Sequence, residues 1–441
     1  MGGHRGFSSM PGIMQVIVGS KVAKWIGSLW LVFPLLIASY YIYIESWCLA
    51  YAWYSLTGEL YQTATPESFK NFLSDYQNIA SGHFIHTYKF FIIVFAINFL
   101  IIWKGIRRGI ERLCIIGMPL LCLLAVFLFI RIFTLDTSDP IFSGRTLTDA
   151  FQFIWQPDFV ALKNPKLWME AVSQVFLSTS VGFGVVATYA SYLKRKDDIA
   201  LAALSSCSTN EFFEIVFGAS LVISVSFLFF GAAQATEIAE GGIFNIGFIT
   251  MPMIFSQMSF GKLFSFFWYA LLAISAVTSS ISLIKPYTAF LEEDLKWGRK
   301  KAILTVIIML FIIAQFPIWF CSHGAIDELD FWCGNFFIIV FGLIMAVSFF
   351  WFFGAEKAMQ EILLGSLIKI PRVMWFICKY ITPLMLIILL VGSIFSEVSD
   401  IIFMKNVTPE DAPYIWFVRI VMISLFLLTC FFARKLPRVN K

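Results

Sequence analysis

The sequence predicts an all-α integral membrane protein with ten transmembrane helices, and three observations predict it. First, 59% of the 441 residues are hydrophobic and only 14% are charged, whereas a soluble domain carries roughly 25% charged residues. So few charges cannot enclose a core in water, but a bilayer removes that need. Second, ten apolar stretches each reach the roughly 20 residues that a membrane crossing takes. Third, Lys and Arg are distributed unevenly between alternate connections, as membrane topology requires.

The stretches fall near 26–54, 86–104, 113–134, 167–191, 208–235, 259–291, 302–321, 331–354, 373–399 and 413–433. Together they make a single transmembrane domain over residues 1–441, with 1–25 as a cytoplasmic N-terminal segment. That segment lacks the charged start and apolar run of a signal peptide. Placing the N-terminus inside puts 21 of the 32 basic residues on the cytoplasmic side, among them Arg107, Arg108 and Arg112, Lys194 and Lys196, and Lys300 and Lys301. Ten helices return the C-terminus to the same side. The expected location is the inner, or plasma, membrane, with lipid as a partner and no nucleic acid.

Motifs of soluble enzymes are missing: there is no P-loop, H-E-x-x-H, G-x-S-x-G or dinucleotide fingerprint. The eight cysteines are scattered without a C-x-x-C pair, which argues against a disulfide framework or zinc cage. His83 and His86 form an H-x-x-H without an evident third ligand. No organic cofactor is expected.

Polar groups inside the apolar stretches carry the information, because each is costly unless it meets a partner, water or an ion. In the fourth span, Thr179-Ser-Val-Gly-Phe-Gly184 weakens the helix at mid-membrane depth. An interrupted helix offers dipole ends and free carbonyls to a carboxylate and a cation; a tight glycine packing contact is the alternative. In the sixth span, Ser275, Thr278, Ser279 and Ser282 recur at spacings that put them on one helix face. Their hydroxyl and carbonyl oxygens suit a hard cation such as Na⁺, or they bond back to their own helix. Asn210 and Glu214 lie one turn apart in the fifth span, as do Ile37, Tyr41 and Glu45 in the first. The Asn210 amide oxygen could complete a cation site and Glu214 could be a protonatable counter-charge, or these groups link helices by hydrogen bonds.

The segments Tyr40-Tyr-Ile-Tyr-Ile-Glu-Ser-Trp47, Gly182-Phe-Gly184 with Thr188-Tyr-Ala-Ser-Tyr192, Thr209-Asn-Glu211, Phe248-Ile-Thr-Met-Pro252, Thr278-Ser-Ser-Ile281 with Ala289-Phe-Leu-Glu-Glu293, Asp330-Phe-Trp332 and Tyr380-Ile-Thr-Pro383 resemble the neurotransmitter:sodium symporter family, its bacterial amino-acid members above all. The resemblance runs through the chain in order. It aligns the ten spans with helices 3–12 of the family's inverted-repeat fold, so that the expected chain lacks the first two helices.

The function this resemblance implies is sodium-dependent symport of an amino acid or related small zwitterion by alternating access. It assigns Tyr41, Ile37, Leu177, Ser178, Ser180, Phe183, Ser279 and Leu283 to the substrate, Leu177 standing where the family usually has an aromatic lid. Sodium falls to Ser178, Asn210, Ser275, Thr278 and Ser279. Asp330 matches the outer-gate acid and Glu293 the inner-gate acid, with Tyr192 beside it. Gln174, Ser178, Asn210 and Glu214 surround the chloride position of other members, and the carboxylate of Glu214 implies chloride independence. A homodimer is compatible with this reading. Two other classes stay open: a truncated, transport-inactive remnant serving as a membrane scaffold or binding protein, and a polytopic membrane enzyme, for which only Asp197-Asp198 in a basic loop speaks.

Overall fold

A computed structural model of the chain describes residues 6–436 apart from 21, 64, 79–83, 195 and 241. Nine helices among the described residues are long and apolar enough to cross a bilayer: Ala23–Thr57, His86–Gly105, Arg108–Phe133, Ile199–Phe230, Gly261–Asp294, Arg299–Trp319, Ala325–Phe352, Arg372–Ser393 and Ala412–Ala433. The remaining expected stretch, the fourth at 167–191, is not one continuous helix. It forms Pro165–Ser178 and Val185–Ala190, separated where the hydroxyls and glycines of 179–184 interrupt the ladder.

Local chemistry sets the other boundaries. The fifth span begins at Ile199, well before the apolar window. Residues 200–204, Ala-Leu-Ala-Ala-Leu, are strong helix formers, and the Asp198 carboxylate accepts the Leu201 N–H at 2.8 Å, as an N-cap does. At 35 residues the first span is about 52 Å long. It outreaches the hydrocarbon core, so it must tilt or project. Several spans contain wide i→i+5 turns, including Phe212–Ala219, Phe290–Asp294 and Phe331–Phe336. Such turns rotate the residues beyond them relative to a regular helix.

The chain gathers into two compact units. One comprises residues Met1–Tyr40, Phe159–Ser208 and Ser280–Lys441. The segment before the first span forms a nine-residue helix here, Met10–Val18, with Met10 to Gln15 buried and Gly19 ending it at φ 71°. The core of this unit is aromatic: Trp30 and Phe341 have ring centroids 4.7 Å apart, as do Phe33 and Phe337. A buried ion pair fastens its later spans, with Arg419 Nε donating to Glu328 Oε1 at 2.6 Å. The Trp332 indole donates to the same oxygen at 2.7 Å.

The other unit comprises Tyr41–Asp158 and Thr209–Ser279. Tyr51, Phe248 and Tyr269 pack ring to ring at 5.0 to 5.8 Å, and Trp47 stands edge-on to Phe248. A second cluster joins Leu128, Leu221, Leu228, Ile254 and Phe255. Arg145 satisfies the end of the fifth span, its Nε donating to the Leu228 carbonyl at 2.8 Å and Nη2 to Phe229 at 3.0 Å. Two connecting helices start with reciprocal caps, Thr65 with Ser68 and Thr146 with Asp149. Along the third span Ile115, Leu123 and Ile130 are all more than half exposed, a face suited to acyl chains.

Candidate functional site

The residues singled out from the sequence fall in both units. In the first, the fourth span leaves helical geometry at Ser180, which has φ 55°, and passes through Gly182 at 95° and Gly184 at 71° before Val185 restarts the helix. Left-handed backbone is strained for a residue with a Cβ, so the two glycines are where the strain is relieved. They also permit close packing. A Cβ on Gly182 would lie 3.0 Å from the Ile338 carbonyl, and one on Gly184 3.2 Å from that of Trp30. The sequence left two explanations for these glycines, and both operate: the helix is broken and its glycines are tightly packed. Phe183 is buried at the break and Ser180 half-buried, while Leu177 and Gln174 are exposed. The Ser178 and Thr179 hydroxyls both bond back to the Val175 carbonyl. Ile37 and Leu283 are buried in the same unit.

Asp330 is held from two sides. The Tyr40 hydroxyl donates to its Oδ1 at 2.7 Å and the Asn335 amide to its Oδ2 at 3.2 Å. Asn335 also lines a cavity of about 190 Å³ whose other polar walls are Glu170, Ser173 and Ser393. Tyr40 was not among the sequence-assigned residues; its neighbour Tyr41 was.

At the other end of this unit Glu293 collects several donors. Its Oε1 accepts from the Tyr192 hydroxyl, and the Lys285 ammonium lies 3.6 Å from the same oxygen. Its Oε2 accepts from the Ser8 hydroxyl at 2.5 Å. Lys285 also sits over the Tyr192 ring, 5.3 Å from its centroid. Next door, Asp294 accepts the Ser8 backbone N–H at 2.8 Å and the Ser9 hydroxyl. Lys285 is the residue that the sequence reading overlooked. Its signal was present: a lysine inside the apolar stretch 259–291, where an ammonium is costly without a partner.

In the second unit, Thr278 and Ser279 both donate their hydroxyls to the Ser275 carbonyl, at 2.7 and 3.2 Å. The three oxygens are thereby drawn together on one helix face, each hydroxyl keeping lone pairs for another partner. Ser279 also meets the Tyr41 phenol. Asn210 donates its amide N–H to Glu214 Oε2 at 3.3 Å. Glu45, fully buried, receives the Asn98 amide on both oxygens, at 3.0 and 3.2 Å. The fourth member of the hydroxyl stripe, Ser282, belongs to the first unit and pairs with Tyr189 at 3.2 Å.

The described residues contain no group of three His, Cys, Asp or Glu side chains able to hold a metal. His86 faces the Tyr54 hydroxyl at 3.4 Å, and His83 lies outside the described residues. Outside the spans, Asp198 joins two loops. Besides capping Leu201 it accepts the Leu367 N–H at 2.6 Å, and these two backbone donors hold its carboxyl below the ordinary carboxylate range.

Residues 74–437 match the sodium:neurotransmitter symporter family. The chain is 26% identical over 409 residues to an uncharacterised sodium-dependent transporter of Methanocaldococcus jannaschii, covering 91% of this chain and 79% of that protein. It is 27% identical over 390 residues to an uncharacterised sodium-dependent transporter of Haemophilus influenzae, covering 85% and 80%. To the sodium-dependent serotonin transporter of Drosophila melanogaster it is 24% identical over 312 residues, covering 68% and 47%. Among solved structures it is similar to MhsT in complex with L-phenylalanine, with a TM-score of 0.74 and 24% identity over 89% of this chain and 86% of that one. At that identity the likeness speaks for the fold. The family match spans most of the chain, and the broken span and clustered oxygens lie within it: the protein is a multi-pass, sodium-dependent transporter of the sodium:neurotransmitter symporter family.

Proposed function

We propose that the chain carries an amino acid or related small zwitterion in symport with Na⁺ by alternating access, without a need for chloride. The observation that supports this most is the break in the fourth span. Ser180, Gly182 and Gly184 take left-handed backbone where a membrane helix would otherwise run through. Irregular backbone at that depth is stable only where protein or a polar cavity surrounds it, and it offers carbonyls and dipole ends to a zwitterion. The Ser275, Thr278 and Ser279 oxygens supply the hard donors that Na⁺ prefers over nitrogen or sulfur. Glu214 supplies a fixed negative charge beside Asn210, the role a chloride ion would otherwise fill. The excess of Lys and Arg in alternate connections supports an inner-membrane orientation with both termini in the cytoplasm.

The test is a thermal-shift panel of amino acids on the purified chain in sodium chloride, choline chloride and sodium gluconate. Stabilisation by at least one amino acid is expected in both sodium salts and not in choline. Thr278→Val should weaken the sodium dependence without unfolding the protein. If no amino acid acts in sodium, and vesicles containing the chain accumulate none, the proposal falls.

A further inference from the structure

The second and third spans, His86–Gly105 and Arg108–Phe133, are joined by a turn short enough to gather their charges at one end. Gly105 leaves helical geometry at φ 80° and ψ −172°, and the wide turn Ile106–Glu111 follows at once. Gly109 lies against the preceding span, where a Cβ would come 2.2 Å from the Ile101 carbonyl oxygen. Gly109 and Ile110 are buried, while Lys104, Arg108 and Arg112 are exposed. Within residues 104–112 stand Lys104, Arg107, Arg108 and Arg112 against a single acid, Glu111.

Among the described residues, Lys104, Arg108 and Arg112 form no ion pair. Arg108 and Arg112 are four residues apart, where like charges on a helix repel, and no ion pair within the fold offsets that cost. Orienting the chain calls for cations on this side of the membrane, but not for three of them exposed and without a carboxylate around one hairpin. The surface beside them is apolar. Just beyond Arg112, Ile115 and Ile116 are 65% and 61% exposed, and on the adjoining span Leu100 is 53% exposed. Trp103, also exposed, is the kind of amphipathic ring that sits at headgroup level. Cations at one level and bare aliphatic surface at the next match a molecule with an anionic head and acyl chains.

We propose that this hairpin is a binding site for an anionic phospholipid, its phosphate held by Lys104, Arg108 and Arg112 and its chains lying along Ile115, Ile116 and Leu100. The planar fork of an arginine can take two phosphate oxygens at once, and the lysine ammonium adds a compact charge beside it. The occupant is a lipid and not a free anion because the cations and the apolar surface are contiguous on the same two helices. The site stands on this hairpin alone and does not depend on what the transporter carries.

Native mass spectrometry of the full chain in detergent, titrated with dioleoyl phosphatidylglycerol or dioleoyl phosphatidylcholine, tests it. The two lipids share their chains, so the headgroup alone makes the difference, and the parent should bind phosphatidylglycerol more tightly. Each cation near an anionic headgroup is worth about fivefold in affinity. Lys104→Gln with Arg108→Gln and Arg112→Gln should therefore weaken the tightest phosphatidylglycerol binding about a hundredfold and leave phosphatidylcholine binding unchanged. Removing cations elsewhere on the same side, by Lys300→Gln with Lys301→Gln and Lys357→Gln, should spare it. Ile115→Ser with Ile116→Ser should weaken both lipids alike. Inorganic phosphate in excess should not displace the lipid. Equal phosphatidylglycerol binding by the parent and the first triple variant, an equal loss in the second triple variant, or displacement by phosphate overturns the proposal. If the first triple variant does not insert or fold, Arg108→Gln and Arg112→Gln as single changes, about fivefold each, decide in its place. No amino acid enters these titrations. Failure of the lipid site and failure of the transport reading are therefore separate outcomes.

Discussion

The Tyr40 hydroxyl donates to Asp330 at 2.7 Å, and Gly334 stands directly behind the same carboxylate oxygen, where a Cβ would come within 2.8 Å. The glycine leaves just enough room for the carboxylate to reach the phenol. Removing the donor and crowding the acceptor should therefore act alike. Tyr40→Phe loses a hydrogen bond to a charged group, worth about 1.5–3 kcal/mol. Gly334→Ala pushes the carboxylate off the phenol, and its effect should not add to that of Tyr40→Phe. Thermal unfolding in detergent of the two single variants and the double variant checks this; full additivity would separate the two contacts.

The break in the fourth span depends on glycine at two positions. Gly182→Ala and Gly184→Ala each place a Cβ in left-handed backbone, which alone costs about 1–2 kcal/mol, and each drives that Cβ against a carbonyl. Both variants should melt earlier than the parent. Val181→Ala, on the exposed side of the same loop, should change little. Equal melting temperatures for all three would mean that the left-handed turns are dispensable.

These two sites differ in how legible they were. The break could be read because its cause is local: two glycines and two hydroxyls in an apolar span weaken a helix whatever surrounds it. The partner of Asp330 could not. Tyr40 and Tyr41 are adjacent on one helix, about 100° apart around its axis, and the sequence does not say which faces the later span. The early start of the fifth span escaped for another reason. Residues 199–207 continue the helix through alanine and leucine propensity and the Asp198 cap, not through membrane-like hydropathy. Lys285 was visible as an intramembrane charge, but its partner depended on a wide helical turn that composition does not announce.

Glu45 and Asn98 allow a test of what a buried polar pair contributes. Asn98→Leu withdraws an amide from a fully buried carboxylate. Losing one partner of such a pair costs about 1–3 kcal/mol or more, because the remaining group keeps its desolvation penalty. Replacing both, Glu45→Leu with Asn98→Leu, removes that penalty as well. The double variant should be more stable than Asn98→Leu alone, as measured by unfolding in detergent. A double variant less stable than the single one would mean that the other contacts of Glu45 outweigh the amide.

Asp198 gives the pH dependence a definite sign. Its carboxylate accepts backbone N–H groups from Leu201 and Leu367, which lowers its pKa in the folded chain from the ordinary 3.8. The unfolded chain therefore binds the proton more readily than the folded one. The contribution of this carboxylate is fully present above its unfolded pKa and is lost as pH falls through the still lower folded value. Asp198→Asn keeps one carbonyl oxygen but has no charge, so it should melt below the parent by a margin that is constant from pH 8 to about pH 5. That margin should shrink below about pH 4 as the parent's carboxylate is protonated, until the two chains converge. Melting curves of both chains across that range decide it: a gap that widens toward acid would mean that the two N–H groups do not favour the ionised form.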